Sequence, residues 1–209
     1  MSLNYVFLAD QIDRFIGPQA TVLDYGCGHG QLIAAAIERG HDAYGCDPGD
    51  PMWEKWAKQS EYKERIRPIT RDQKIPFGDE KFDIVIANQV FEHIDNFEMP
   101  LSEIHRVLKP GGLFINCFPT LEAWWEGHQK TPLAQHFFSS ADLWRKYLIV
   151  MHRLHLGKNR SGKTAQQWAH ESRDLPSMCF YKPLRQVVGA FEKWFEVLQI
   201  GRASCRERV

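Results

Sequence analysis

VLDYGCGHG, Val22 to Gly30, is an apolar run that breaks into three glycines at alternate positions. An apolar, β-branched stretch closed by glycine reads as a buried strand. Glycines at 26, 28 and 30 then let the backbone approach something closely at the start of the next helix. A dinucleotide fingerprint, G-x-G-x-x-G, places its third glycine where this chain has Gln31. The strand also ends in Asp24, a poor neighbour for a pyrophosphate but suited to a ligand with an ammonium group and a cationic sulfur. Asp47 lies 21 residues after Gly26, at the end of the second strand, where a carboxylate can take both ribose hydroxyls.

Working outward, Tyr5, Leu8, Ile12 and Phe15 fall at helical spacing before Gly17-Pro18, and QLIAAAIERG predicts a helix stopped at Gly40. Asp42 to Asp47 reads as the second strand, MWEKWAKQSEYKERI as an exposed helix, and RPIT as the third strand. FDIVIAN has the pattern of a parallel central strand buried on both faces. PLSEIHRVL follows as a helix stopped by Pro110, Gly111 and Gly112, and LFINCF as the fifth strand. This alternation predicts an α/β doubly wound parallel sheet. After Pro119 come helical pieces at 141–156 and 183–194 around a polar break at 157–164, with FEVLQ as a sixth strand. The sixty or so residues between the fifth strand and the last helix exceed what a sheet connection requires. They read as a cap over the sheet's C-terminal edge.

In motif order the chain resembles the class I S-adenosylmethionine-dependent methyltransferases from Thr21 to about Pro119. VLDYGCGHG is similar to their first motif and YGCD to their second. TRDQKIPFGDEKFDIVIANQVFEHI matches the acidic, Pro-Phe and Phe-Asp stretch, and LSEIHRVLKPGGLFI the helix, loop and strand that close the pattern. The resemblance implies S-adenosyl-L-methionine as cofactor and a Rossmann-like sheet of order 3-2-1-4-5-7-6. Strand seven would be missing, leaving strand six without a neighbour. It also implies one domain over 1–199, with a core at 18–118, a cap at 119–182, and a last crossover helix and strand at 183–199. Cofactor contacts are implied for Asp24, Tyr25, Gly26, Cys27, Gly28 and Gly30. Asp47 and Pro48, Asp72 and Gln73, and Asn88, Gln89 and His93 complete that set.

The acceptor side is expected in the loop NQVFEHI and in the cap. The loop is not the Asn/Asp-Pro-Pro-aromatic type associated with methylation of amide or nucleobase nitrogens. His93 can serve as a base or orient the cofactor, and Glu126, His128 and His136 can line the acceptor pocket. No ligand spacing points to a metal. Trp124 and Trp125 read as packing for the cap, and Cys27 as a loop filler.

Residues 1–142 carry 13 basic and 21 acidic side chains, and 143–188 carry 9 and 2, so a basic stretch follows an acidic one. That asymmetry suggests an anionic acceptor, or one linked to a sugar or lipid, with methylation at oxygen favoured. The chain is neutral overall, with 26 residues of each sign, and carries no RNA-module signature, so nucleic acid is not expected. No run approaches a membrane span, and five cysteines without C-x-x-C pairing suit a reducing, cytoplasmic setting. The oligomeric state stays open. The last ten residues, IGRASCRERV, match the translation of a sequencing adapter and are expected to be an assembly artefact, the alternative being a genuine basic tail. The rival readings are a nicotinamide-dependent oxidoreductase and a non-catalytic methyltransferase-like partner subunit.

Overall fold

The computed structural model describes residues 3–48 and 61–198. The helix expected over 52–66 therefore lies mostly outside the described residues, as do Ile200 to Val209. Residues 3–48, 61–91, 96–118 and 190–198 form one compact unit, and 92–95 with 119–189 a second.

The first unit is built on five parallel strands: β1 (Thr21–Tyr25), β2 (Asp42–Pro48), β3 (Ile66–Ile69), β4 (Phe82–Asn88) and β5 (Leu108–Cys117). Their order is β3-β2-β1-β4-β5, with Asp24 level with Gly45 on one side and Ile86 on the other. Val22, Leu23, Ile84, Val85 and Ile86 are fully buried, as a strand covered on both faces requires. Helices α1 (Leu3–Phe15) and α2 (Gln31–Ile37) pack Leu8, Ile12, Leu32 and Ile33 into one apolar cluster with Val22, Ile84 and Ile86. Phe15 departs from the expected buried face and is 51% exposed. It sits in the last turn of α1, three residues past Ile12, which is fully buried.

Between β4 and β5 runs α3 (Glu98–Val107), which buries Leu101, Ile104 and Val107. Its end corrects the expected stop at Pro110 to Gly112. The helix finishes at Val107, and Lys109 to Gly112 already belong to β5. A register shift between Phe82 and Ile84 absorbs the extra residues, so the proline and glycines bulge a strand instead of capping a helix. Lys109 Nζ anchors the bulge on Asp83 Oδ1 at 2.8 Å, and Asp83 Oδ2 accepts from Thr21 N–H at 2.8 Å.

The second unit holds a short hairpin, β6 (Trp125–Glu126) with β7 (Thr131–Pro132), and α4 (Ala141–Arg153), α5 (Ala165–Glu171) and α6 (Leu175–Met178). Ser140 caps α4, and Thr164 with Gln167 forms a reciprocal capping box on α5. Trp144 and Trp168, each 1% exposed, fill its core, and their indole N–H groups donate to the Ser172 and Lys158 carbonyls. Trp124 and Trp125 do not pack as expected and are 70% and 47% exposed. The indoles at 144 and 168, carried on helices, occupy the interior that the hairpin tryptophans were expected to fill.

Helix α7 (Leu184–Phe191) is the last regular element among the described residues. Phe195 to Leu198, expected as a sixth strand, form none. Strand hydrogen bonds require a neighbour, and the seventh strand that would separate β5 from a sixth is not formed among the described residues.

Candidate functional site

In the first unit the glycine loop between β1 and α2 is held by its own backbone. Gly26 N–H and Cys27 N–H both donate to the Cys46 carbonyl, at 2.8 and 3.2 Å, and Gly30 N–H donates to the Cys27 carbonyl at 2.8 Å. Gly26, Gly28 and Gly30 have φ of +77°, +48° and +78°, a region that glycine enters without the Cβ penalty. At Gly26 a Cβ would come 2.3 Å from a Val90 methyl, so close packing also requires glycine there. At Gly28 a Cβ would meet nothing within 4 Å, leaving an open cradle on that side of the loop. Cys27 is buried against Gly45, and its thiol is pushed up by burial. It is a loop filler, as expected.

The two carboxylates flank this loop. Asp47 Oδ2 accepts from Gly28 N–H at 2.9 Å, which ties the end of β2 to the glycine turn. Asp24 is 4% exposed, and burial, with the Asp47 charge adding to it, pushes its carboxyl up to about 8. A cation bound beside such a group would favour its carboxylate form and expel the proton to solvent. Tyr25 is buried with its ring centroid 6.1 Å from that of Phe91. Asn88 side-chain hydrogen-bonds Tyr5, and Gln89, at φ +58°, donates its N–H to the Cys117 carbonyl at 2.7 Å. Pro48 is exposed at the end of β2. Asp72 and Gln73 form an exposed turn after β3, where Thr70 Oγ1 donates to Asp72 Oδ1 at 2.5 Å and Gln73 has φ +61°. An open groove of about 550 Å³ lies elsewhere, lined by Arg67, Lys74, Phe77, Lys81 and Arg106 and by none of the glycine-loop residues. The glycine loop is the better site because its shape and its buried carboxylate both match a ligand.

The second unit brings together three of the expected acceptor-side residues and adds two. His93 closes a 3-10 turn at Phe91–His93, and Glu126 and His128 belong to the β6–β7 hairpin. His128 Nδ1 lies 2.7 Å from Glu126 Oε1, whose carboxylate also accepts from the His128 and Gln129 N–H groups at 2.9 and 2.6 Å. Tyr181 OH donates to the same oxygen at 2.8 Å. His93 Nδ1 is 2.7 Å from the Met178 carbonyl, and the two Nε2 atoms face each other at 3.3 Å. Cys179 Sγ completes the group, 3.8 Å from His93 Nδ1 and 3.9 Å from His128 Nδ1.

The charges in this group follow from its contacts. Cys179 and Glu126 raise His128 to about 10, against the effect of burial, and Cys179 raises His93 as well. Burial opposes ionisation of Cys179, yet the two histidines bring its thiol below the ordinary value. Glu126 is likewise held below the usual carboxylate range despite its burial, by His128 and the N–H donors. Glu92 is fully buried, and neither carboxylate oxygen has a hydrogen-bond partner, so burial raises its carboxyl. His136 stays outside this group, exposed in a 3-10 turn and within electrostatic reach of Glu122. Cys179 and Tyr181 were not legible as site residues, since they follow His128 by 51 and 53 positions.

Residues 23–116 match the methyltransferase domain family. A demethylmenaquinone methyltransferase from Symbiobacterium thermophilum is 28% identical over 198 residues, 90% of this chain and 74% of that protein. A ubiquinone biosynthesis O-methyltransferase from Rhizobium etli is 34% identical over 97 residues, 45% of this chain, and the match spans 39% of that relative's length. Among solved structures, the YcgJ protein of Bacillus subtilis superposes with a TM-score of 0.56 at 19% identity, covering 92% of this chain and 68% of its own.

Proposed function

We propose, from the match of residues 23–116 to the methyltransferase domain family and from the relatives it resembles, that the chain is a class I S-adenosylmethionine-dependent methyltransferase and transfers that cofactor's methyl group to a small acceptor, at a hydroxyl oxygen. The observation that carries this reading is the glycine cradle flanked by Asp24 and Asp47. The residues present fit the cofactor. Asp24 would hold the methionyl ammonium, the Gly26-to-Gly30 backbone would follow its chain, and the end of β2 at Asp47 would take the ribose. When bound, the cofactor supplies an electrophilic methyl on a sulfonium. The protein then has to align the receiving atom, keep water out and accept a proton.

A hydroxyl acceptor needs a base. His93, its ring oriented through Nδ1 by the Met178 carbonyl, is the candidate while its Nε2 is free; His128, raised to about 10, is already protonated near neutral pH. The names of the relatives, a ubiquinone biosynthesis O-methyltransferase and a demethylmenaquinone methyltransferase, favour a quinone-type, lipid-linked metabolite. The exposed indoles of Trp124 and Trp125 offer apolar surface for such a tail, and the basic 143–188 stretch favours an anionic group on it.

The test is turnover. The chain is incubated with the cofactor and a panel of hydroxylated acceptors, aromatic and sugar-based, with and without a lipid tail or phosphate. Release of S-adenosylhomocysteine is followed, and the methylated atom is assigned by NMR. Acceptor-dependent release with methylation at oxygen supports the reading. Release confined to nitrogen or carbon acceptors would replace the oxygen assignment.

A further inference from the structure

The His93–His128–Cys179 group has a geometry that methyl transfer does not require. His93 Nδ1 faces a carbonyl and His128 Nδ1 faces a carboxylate, so each Nδ1 carries the proton that makes its hydrogen bond. In neutral rings both Nε2 atoms are then bare lone pairs, and they point at one another across 3.3 Å. Two lone pairs at that distance call for a shared cation. Tetrahedral zinc with bonds of about 2.0–2.1 Å to nitrogen separates its two imidazole nitrogens by roughly 3.3 Å. A third donor lies beside the same two rings: Cys179 Sγ is 3.8 and 3.9 Å from their Nδ1 atoms, and one nitrogen of each ring with this sulfur forms a set within 4.8 Å, so turning the thiol toward the Nε2 pair would complete the donor set.

Two further features point the same way. Metal-binding histidines commonly donate their other ring N–H to a carboxylate or a backbone carbonyl, and this group has one of each. Glu126, 1% exposed, is itself held by Tyr181 and two backbone N–H groups, so its imidazole partner is firmly oriented. Glu92 is fully buried with both oxygens unpartnered and lies within electrostatic reach of both imidazoles. A buried carboxylate without a partner is costly, and a dication nearby offsets that cost.

We propose that His93 Nε2, His128 Nε2 and Cys179 Sγ bind one divalent ion of the zinc class, with the fourth position open to water or an oxygen ligand. A thiolate with two imidazoles is a soft-to-borderline donor set that selects zinc or cobalt over magnesium or calcium. The ion would link three chain segments: the loop after β4, the β6–β7 hairpin and the extended stretch after α6. This goes beyond the methyltransferase reading, and its test uses neither methyl donor nor acceptor.

The full chain is stripped with a chelator, shown by circular dichroism to be folded, and titrated with Zn²⁺ by calorimetry and with Co²⁺ by absorption. The expected result is one equivalent bound, with a cobalt–thiolate charge-transfer band and the visible bands of a tetrahedral ion. Cys179→Ser removes the charge-transfer band, and Cys117→Ser leaves it intact. Glu126→Gln, which loosens the His128 ring, weakens binding by about 10–100-fold. If Cys179→Ser does not fold, His93→Gln at an exposed position is expected to weaken Zn²⁺ binding and to change the visible cobalt bands, and unchanged binding and bands in that variant overturn the proposal. Absence of binding by the folded chain overturns the proposal and leaves a proton shared between the rings. A charge-transfer band that survives Cys179→Ser overturns it too.

Discussion

Asp24 makes the cofactor assignment testable through protons. Its carboxyl is raised to about 8, by burial first and by the Asp47 charge second. The other titratable groups coupled to it, Tyr5, Cys27 and Cys46, are all raised and stay neutral near pH 7. At pH 7 about nine-tenths of the ligand-free chain then carries the Asp24 proton. A methionyl ammonium on Asp24 favours the carboxylate, so binding expels that proton. Removing it at pH 7 costs about 1.4 kcal/mol, and the cost grows by the same amount for each unit below. The affinity for S-adenosylhomocysteine therefore climbs about tenfold from pH 6 to 7 and flattens near pH 8, where the ligand's own amine begins to deprotonate. Calorimetry at pH 7 in buffers of different ionisation enthalpy should show nearly one proton released per ligand. Asp24→Asn should weaken binding and abolish both the proton release and the slope. Affinity flat from pH 6 to 8, with no proton release, would refute the assignment of the ammonium to Asp24.

The same group affects the ligand-free fold. Folded protein keeps a proton that the unfolded chain releases above about pH 4, so this contribution to stability declines as pH rises from there to about 8, and Asp24→Asn should flatten the decline in Tm. Asp47→Ala removes the acceptor of Gly28 N–H and the ribose partner, and should weaken S-adenosylhomocysteine binding by about 1.5–3 kcal/mol in calorimetric titration. Gly45→Ala places a Cβ 2.6 Å from Cys27 Sγ and 2.7 Å from Ile33 Cδ1, and should destabilise the fold by about 1–3 kcal/mol in denaturant melts. Arg106→Ala strips Glu103, only 6% exposed, of its partner at 2.6 Å. The loss should fall near the lower end of about 3–5 kcal/mol, because 30% of the Arg106 side chain meets solvent. Glu103 is held below its ordinary range with Arg106 the main cause, so the wild type loses this stabilisation on acidification through that range and the variant shows a shallower acid decline.

What could be read from the residues divides along physical lines. The sheet order and the glycine loop were legible because strands buried on both faces write continuous apolar runs, and three positive-φ turns need glycine in sequence. Asp24 and Asp47 lie one residue before the ends of β1 and β2, so the succession of strand and helix segments located them. Lys109 to Gly112 misled because a proline-glycine run signals a helix stop and a strand bulge equally well. Trp124 and Trp125 misled because hydrophobic character alone does not distinguish them from the buried Trp144 and Trp168. The cluster at His93 was legible only in part. Glu126 and His128 announce themselves by proximity, while Cys179 reaches His93 across 86 residues and no local spacing encodes that contact. His136, close to His128 in sequence, lies outside the group for the converse reason.

The central claim, that the glycine loop holds a methyl donor and not a hydride carrier, is tested most directly by titrating the folded chain with S-adenosylhomocysteine and, as a control, with NADH. The account predicts saturable one-to-one binding of the first, lost in Asp47→Ala, and none of the second. Binding of NADH in preference to S-adenosylhomocysteine would contradict it.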